Sequence, residues 1–330
     1  MSHSWRRLLS INTAIFPCTN FVSHCLASVE TVMRYARLTP GHGFKPANSF
    51  LYYLQRIIVS PPLRGLCVRM FRNWVRARHG ISTRVSVPAR LLLLDRLHTE
   101  GYASLGNVLT TGQCDDIHGH FADKMLTDRQ DATSTFTLAR VPPAARLAEY
   151  SLHDIVRCPH ILALANDSRL LELAERYIGC KPTISQLGVR WSFPAPGPRS
   201  DLQTFHRDSE DWRYFKVIVY LTDVGPDDGP HVYVRGTHKT RAPVRLKIQS
   251  DGEISREYGE ERLIVAVGER GFGFAVDTAG VHKGSPPVAK PRLMLQIQYS
   301  LFRSYAYVYE PEPYTGCFPF DPYINRLILA

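Results

Sequence analysis

Three side chains in this sequence have the types and the spacing of a metal site. His206 and Asp208 are separated by one residue, and His282 follows far downstream. In a strand or an extended turn, side chains at positions i and i+2 point to the same side, so His206 and Asp208 can bind one ion together. Two imidazoles and one carboxylate form the facial ligand set of iron centres, which leaves open positions for a co-substrate and for dioxygen. Open positions indicate a catalytic site.

The segments around the triplet His206-Arg207-Asp208 are more specific than the triplet itself. They follow it in a fixed order: an apolar run (216–224), an acidic Gly-Pro turn (228–230), a short apolar segment (231–234) and Gly-Thr-His (236–238). In this order they resemble the phytanoyl-CoA dioxygenase family of non-haem Fe(II) and 2-oxoglutarate-dependent oxygenases. The resemblance extends from about residue 90 to about residue 302.

The resemblance implies that His206, Asp208 and His282 bind Fe(II), and that Arg292 binds the distal carboxylate of 2-oxoglutarate. An arginine suits that role because its rigid, always charged guanidinium matches a carboxylate with two hydrogen bonds. Relatives often have Ser or Thr two residues beyond the distal histidine, where this chain has Gly284. A second contact to the co-substrate is therefore left unassigned. The strand predicted at 184–193 should also contribute a pocket residue, which the resemblance does not name.

The family implies an enzyme that uses Fe(II), 2-oxoglutarate and dioxygen to hydroxylate an unactivated C–H bond of a small molecule, with release of succinate and carbon dioxide. Halogenation is disfavoured, because related halogenases lack the carboxylate ligand that Asp208 supplies here. Two alternatives stay open. One is a barrel that binds a metal without oxygenase activity, and the other is a membrane-associated oxygenase of a lipid or an acyl-CoA. Neither the substrate nor the oligomeric state follows from the sequence.

Other histidines are weaker candidates for a metal site. His231 and His238 lie close to the motif, but the second belongs to the recurrent Gly-Thr-His turn, so we expect structural roles for both. His118 and His120, near Asp115 and Asp116, fall in a predicted surface helix. We interpret that group as solvated polar residues.

The elements that must position the site are mostly strands. Helices are predicted at 89–100, 112–127 and 160–178, the last between Pro159 and Gly179. Segments rich in Val, Ile, Tyr and Phe, separated by turns, predict strands at 184–193, 214–224, 231–234, 262–267, 271–276 and 292–301. The fold class is therefore mainly β with flanking helices, and the family implies a double-stranded β-helix core, a jelly-roll and cupin relative.

Charge divides the chain into two parts. The first 96 residues contain fourteen basic and two acidic residues, a net charge of +12, whereas the whole chain carries +10. We therefore predict a basic N-terminal extension, 1–88, and a dioxygenase domain, 89–330, with a lid at about 239–261 and an aromatic tail at 303–330. Since the positive charge belongs to the extension, it gives no argument for nucleic acid binding.

The extension mixes aromatic, aliphatic and Arg residues over 50–78. This composition suits amphipathic helices that pack on their own domain, which we favour, or that lie on a membrane surface. The seven cysteines have no Cys-x-x-Cys spacing and predict a reducing compartment. No apolar stretch approaches the roughly 18 residues that span a bilayer. We expect a cytoplasmic protein, with peripheral membrane contact through residues 1–88 as the alternative.

Overall fold

The computed structural model describes residues 50–330, apart from 53, 56, 57, 59, 82–87, 196–200, 241–248, 306, 308, 317 and 318. Most of the predicted extension and residues 241–248 of the predicted lid therefore lie outside the described residues. None of the described helices is both long and apolar enough to cross a bilayer.

Eleven strands are present in the described part of the chain. They are β1 (Tyr102–Asn107), β2 (Met125–Asp128), β3 (Thr135–Thr137), β4 (Leu147–Tyr150), β5 (Thr183–Ser192), β6 (Tyr214–Tyr220), β7 (His231–Val234), β8 (Leu263–Ala266), β9 (Phe272–Val276), β10 (His282–Gly284) and β11 (Arg292–Ser300). All strand pairs are antiparallel. The prediction of a mainly β protein is confirmed.

The strands form two facing sheets between which the chain alternates. The large sheet has the order β1-β9-β6-β11-β5-β4-β2-β3, and the small sheet has the order β10-β7-β8. From β6 the chain crosses to β7 and β8, returns to β9, crosses to β10 and returns to β11. An isolated bridge between His206 and His282 adds a fourth segment to the small sheet, at the free edge of β10. This alternation is a double-stranded β-helix, as the sequence predicted.

Helices flank both sheets; most cover the outer face of the large sheet, and one, Asp251–Tyr258, packs against the small sheet. Their bounds are Pro61–His79, Pro88–Thr99, Thr111–Phe121, Leu152–Arg157, Ile161–Ala165, Ser168–Ile178, Asp251–Tyr258 and Pro322–Asn325. Side chains alternate along each strand, so every second residue faces the helices. Trp191, Val217 and Leu295 belong to the apolar core on that side. Their neighbours on the inner face include Arg190, Lys216 and Gln296, which line a cavity.

Two of the three helix predictions need correction. The helix expected at 112–127 ends at Phe121, and Met125–Asp128 forms strand β2, because pairing with β3 and β4 determines the conformation there. The helix expected at 160–178 is two helices. The side chain of Asp167 accepts hydrogen bonds from the first backbone N–H groups of the second helix and starts it anew. Its predicted end is confirmed, since Gly179 adopts φ +89°.

The six predicted strands are all present, with bounds that differ from the predicted ones by at most four residues. The prediction at 231–234 matches β7, whereas 214–224 ends early at Tyr220. Five further strands, β1, β2, β3, β4 and β10, were not predicted. These strands are short or contain few β-branched residues, so their pairing partners rather than local preference define them.

Part of the predicted lid, 239–261, is a helix with defined ends. In Asp251–Tyr258 the Ser250 side chain accepts from the backbone N–H of Glu253, whose own side chain accepts from the N–H of Ser250. Lys283 Nζ lies 2.7 Å from Asp251 Oδ1, which ties this helix to β10. The role of the segment as a lid stays a prediction.

Candidate metal centre

The two predicted histidine ligands are brought together by the backbone. His206 N donates to His282 O and His282 N donates to His206 O, each at 2.9 Å. Residues that exchange both hydrogen bonds in an antiparallel pair are directly opposite one another, with their side chains on the same face. The two rings accordingly lie 4.3 Å apart between centroids. Two histidines 76 positions apart in sequence thus become neighbours through a single bridge.

Asp208 completes the group because its side chain points to the same side as that of His206. The distance from His206 Nε2 to Asp208 Oδ1 is 3.5 Å, and that from His282 Nε2 to Asp208 Oδ2 is 3.6 Å. One ligand atom from each residue lies within 4.8 Å of the others, and no other such group of three occurs in the described residues. Three donors at this spacing can surround one metal ion.

Backbone carbonyls fix the orientation of both rings. His206 Nδ1 lies 2.8 Å from Thr204 O, and His282 Nδ1 lies 3.0 Å from Gly280 O. A carbonyl oxygen only accepts, so each Nδ1 carries the proton and donates it. In the neutral ring, Nε2 then has the free lone pair and faces Asp208. This is the tautomer that a metal ligand needs.

The charges in the group suit a cation. Burial alone would raise the pKa of Asp208, but the Lys216 ammonium beside it holds that pKa well below its ordinary range, so the carboxylate is anionic. Burial and the neighbouring His206 lower the pKa of His282 to about 3, which leaves that ring neutral. Despite burial, the hydrogen bond to Asp208 raises the pKa of His206. A divalent cation bound at Nε2 of His206 would displace any proton from that atom.

Lys216 is a charged member of the site that the sequence analysis missed. It lies on β6, and its Nζ is 2.7 Å from Asp208 Oδ2. Its signal in the sequence was one lysine within the apolar run predicted as a strand. At an inward position of that strand, an ammonium must find a partner inside the barrel.

Arg292 lies at the start of β11 and faces the same cavity as the three converging residues. Its Nη2 donates to Ser192 Oγ at 3.0 Å, whereas Nε and Nη1 are buried with no hydrogen-bond partner among the described residues. Burial lowers the pKa of the guanidinium, which shows the cost of desolvating it. Gly284 is adjacent, since a Cβ added there would lie 3.3 Å from Nη2.

Arg207, between the two predicted ligands, holds the segment in place. Its Nη1 donates to Thr237 O at 2.7 Å and to Ala279 O at 2.9 Å, and its Nη2 donates to Thr240 Oγ1 at 2.8 Å. These bonds join the first ligand segment to the Gly-Thr-His turn and to the residues before His282. Arg207 had no predicted role, because its partners, two backbone carbonyls and a threonine hydroxyl, are remote in sequence.

The wall of the cavity opposite the histidines is polar. Arg129 Nη1 and Arg190 Nε both donate to Glu149 Oε1, at 2.6 and 2.5 Å. The two guanidinium groups outweigh the effect of burial and lower the pKa of Glu149 to about 2. Beside them, Gln296 Nε2 donates to Gln186 Oε1 at 2.6 Å. The predicted strand 184–193 thus contributes Gln186, Arg190 and Ser192 to this region.

The aromatic tail, 303–330, contributes one side of the cavity. Tyr307 lines it, and its hydroxyl donates to Glu210 Oε1 at 3.4 Å. Glu210 also accepts from Ser304 Oγ at 2.9 Å. The negative charge of Glu210, together with burial, raises the pKa of Tyr307 well above its usual range. Tyr307 is therefore a neutral hydroxyl donor beside the metal centre.

The remaining histidines do not join the group. His231 lines the cavity, with its ring 5.4 Å from that of His282, but it is not among the three converging residues. His238 Nε2 bonds His98 O at 3.1 Å. His118 and His120 bond two different backbone carbonyls, those of Leu221 and Asp154.

The site cavity has a volume of about 80 Å³. A larger cavity of about 520 Å³ lies between helices and contains none of the predicted site residues. The larger cavity is thus not the one that contains the converging side chains. The convergence of ligand atoms identifies the smaller one as the candidate site.

Comparison with solved structures finds similar chains of low sequence identity. The crystal structure of AviO1 from Streptomyces viridochromogenes Tue57 is 15% identical, with a TM-score of 0.43, over 65% of this chain and 96% of that chain. HygX from Streptomyces hygroscopicus, with nickel, 2-oxoglutarate and hygromycin B bound, is 16% identical, with a TM-score of 0.46, over 65% of this chain and 87% of that one. EctD from S. alaskensis with bound Fe is 17% identical, with a TM-score of 0.49, over 76% of this chain and 89% of that one. At this level of similarity, the ligands bound to those proteins are properties of those proteins and are not transferred to this chain.

Sequence comparison is more decisive. No curated protein sequence matches the chain. The model of the family described as phytanoyl-CoA dioxygenase (PhyH) matches residues 97–286, which is more than half of the 330 residues. That range includes the three converging residues, and Arg292 follows it closely. The family predicted from the sequence is confirmed, and the chain belongs to the phytanoyl-CoA dioxygenase family.

Proposed function

We propose that this protein is an Fe(II)- and 2-oxoglutarate-dependent dioxygenase that hydroxylates an unactivated C–H bond of a small molecule, with release of succinate and carbon dioxide. Family membership supports the general class. His206, Asp208 and His282 would bind the iron through three positions, which leaves the others open for the co-substrate and dioxygen. With both bound, the iron supplies the oxidant for the C–H bond.

One observation carries the co-substrate assignment. Arg292 is buried in the same cavity as the three ligands, with two guanidinium nitrogens that lack a partner among the described residues. A buried cation with unused donors is costly unless an anion binds there. The distal carboxylate of 2-oxoglutarate supplies two acceptors in the geometry of the guanidinium. Ser192 Oγ accepts a hydrogen bond from Nη2 and so orients the guanidinium.

The other residues of the cavity would orient the substrate and limit access of water. Arg129, Arg190, Gln186 and Gln296 give the wall opposite the iron a polar, partly cationic surface. Such a surface favours a polar small molecule over an acyl chain, because apolar groups gain nothing from displacing hydrated polar groups. Tyr307 adds a neutral hydroxyl donor.

A visible charge-transfer band tests the proposal directly. Without oxygen, the protein with Fe(II) and 2-oxoglutarate should show the band that appears when a keto-acid chelates iron. Asp208→Ala should abolish the band and Arg292→Ala should weaken it at a fixed 2-oxoglutarate concentration. Asp123→Ala is the matched control, since its carboxylate is 81% exposed and lies away from the cavity. Bound iron with no band would support the alternative, a metal-binding barrel without oxygenase activity.

Hydroxylation requires a separate experiment. With ¹⁸O₂ and a substrate found by screening for succinate formation, the product should gain one labelled oxygen atom. A product that has lost two hydrogens, or has only changed configuration, would keep the oxygenase class but contradict hydroxylation.

A further inference from the structure

The helix Pro61–His79 is fixed to the domain by one of its faces. Val75 is fully buried there, and the ring of Phe71 lies 5.2 Å from that of Trp212 and 5.4 Å from that of Phe302. Arg64 Nη2 donates to Asp211 O at 2.6 Å. The favoured prediction, that this segment packs on its own domain, therefore accounts for one side of the helix.

The other side presents a stripe of apolar side chains. Leu63, Leu66, Met70 and Trp74 are 48%, 46%, 63% and 50% exposed. Spaced by three or four residues, they fall within an arc of about 80°. No described residue covers this stripe, although one edge of Trp74 contacts Phe302. Single exposed apolar residues are common, but four in register on one helix face form a patch that needs a partner.

Arginines border the stripe on both sides. By helical geometry, Arg69 and Arg76 lie along one edge and Arg78 lies along the other. The Arg78 guanidinium is 5.0 Å from the Trp74 ring centroid. The helix contains five arginines and no Asp or Glu. Arginine stems can therefore lie along the apolar stripe while their charges point outward beside it.

We propose that this face binds the surface of a membrane that carries anionic lipids. An apolar stripe with Arg69 and Arg76 on one side, Arg78 on the other and a tryptophan at its edge matches the interface of such a membrane, where acyl chains lie beneath negative headgroups. The partner is a lipid surface because the stripe is convex and offers no groove for a protein segment. A bilayer adapts to a convex helix without shape complementarity. The assignment gives the basic extension a role that does not depend on the iron site.

Vesicle co-sedimentation of the full chain tests this. The protein should pellet with vesicles of phosphatidylcholine and phosphatidylserine, and at least tenfold less with phosphatidylcholine alone. The triple variant Leu66→Asn, Met70→Asn, Trp74→Gln should lose binding at least tenfold. Arg69→Gln with Arg76→Gln should weaken binding and reduce its dependence on salt. Val288→Asn, which changes a 75% exposed apolar residue away from the helix, is the matched control and should bind normally.

The unfolding temperature of each variant must match that of the wild type, as expected for exposed positions. Should the triple variant be less stable, the single variant Met70→Asn, at the most exposed position of the stripe, replaces it with an expected loss of severalfold. Three outcomes would overturn the proposal: no binding by the wild type, binding that survives the substitutions, or a wild-type dimer that the triple variant dissociates while neither protein binds vesicles. In the last case the stripe contacts a second copy of the chain.

Discussion

Substitution of Lys216 by Met should destabilise the metal-free protein and strengthen metal binding at the same time. Lys216 Nζ and Asp208 Oδ2 are 2.7 Å apart, and their side chains are only 8% and 12% exposed. Removing one partner of such a pair leaves the other charge buried without compensation, which costs about 3–5 kcal/mol. For a chain of this size we expect the unfolding temperature to fall by roughly 4–7 °C in the presence of a chelator.

A divalent cation should reverse this loss, because it compensates the Asp208 carboxylate in place of the ammonium. In the wild type, the ammonium and the metal repel each other by several kcal/mol at an effective dielectric constant of about 20. The flexible lysine stem lets the ammonium retreat, so the measured gain should be smaller. We expect Lys216→Met to bind Ni(II), a substitute that does not react with dioxygen, about tenfold more tightly, equivalent to about 1.4 kcal/mol.

Thermal unfolding with EDTA and with saturating Ni(II), together with calorimetric titration of Ni(II), measures both effects. The matched control is Lys181→Met, whose Nζ lies 2.8 Å from Asp321 Oδ2 away from the site. It should change stability by about 1 kcal/mol or less, equally with and without metal. If Lys216→Met lost the same stability in both conditions, Lys216 would not act through Asp208. A cycle with Asp208→Asn should show a coupling of about 3 kcal/mol.

Three further predictions concern other parts of the structure. Arg292→Lys keeps the charge but loses the planar fork, so the Kd for 2-oxoglutarate, measured from the charge-transfer band, should rise at least about tenfold with metal affinity unchanged; an unchanged Kd would place the co-substrate elsewhere. Burial raises the pKa of Asp211 from 3.8 to about 7, so its stabilising contribution is complete below pH 3.8 and is lost as the pH rises to 7, by at most roughly 4 kcal/mol. Asp211→Asn should flatten the unfolding free energy across that window, and an unaltered pH profile would contradict the assignment. Gly271→Ala should cost about 3 kcal/mol or more in urea unfolding, because φ is +94° and a Cβ would lie 2.2 Å from Leu109 O; Gly112→Ala, with open space around it, is the control, and equal losses would refute the steric argument.

The residues that chemistry demands were predictable, because their types are restricted and their spacing is local. His206 and Asp208 form a short motif, and the long apolar strands around them have clear composition. The structure brings both together with His282, as the family resemblance implied. Their action as iron ligands stays a prediction until the metal is bound and the variants are measured.

The elements that depend on distant partners were not predictable. Strand β2 lies in a segment with helical composition, and it is a strand because β3 and β4 pair with it. The contact between Ser192 and Arg292 depends on the register of β5 against β11, which places the two residues opposite one another. A shift of one residue would turn Ser192 outward, and the sequence alone does not determine that register. The charged residues Lys216 and Arg190 could be recognised in the sequence as interruptions of apolar strands. Their partners, Asp208 and Glu149, could not be predicted.

The carbonyls that orient the two histidines belong to Thr204 and Gly280, each two residues before the ring it holds. The orienting groups are thus main-chain atoms of the ligand segments themselves. Exchange of a wall residue such as Arg190 or Gln296 would leave both hydrogen bonds in place. Selection for a new substrate can therefore alter the wall without misaligning the metal ligands, and the iron chemistry and the choice of substrate can evolve independently in this barrel.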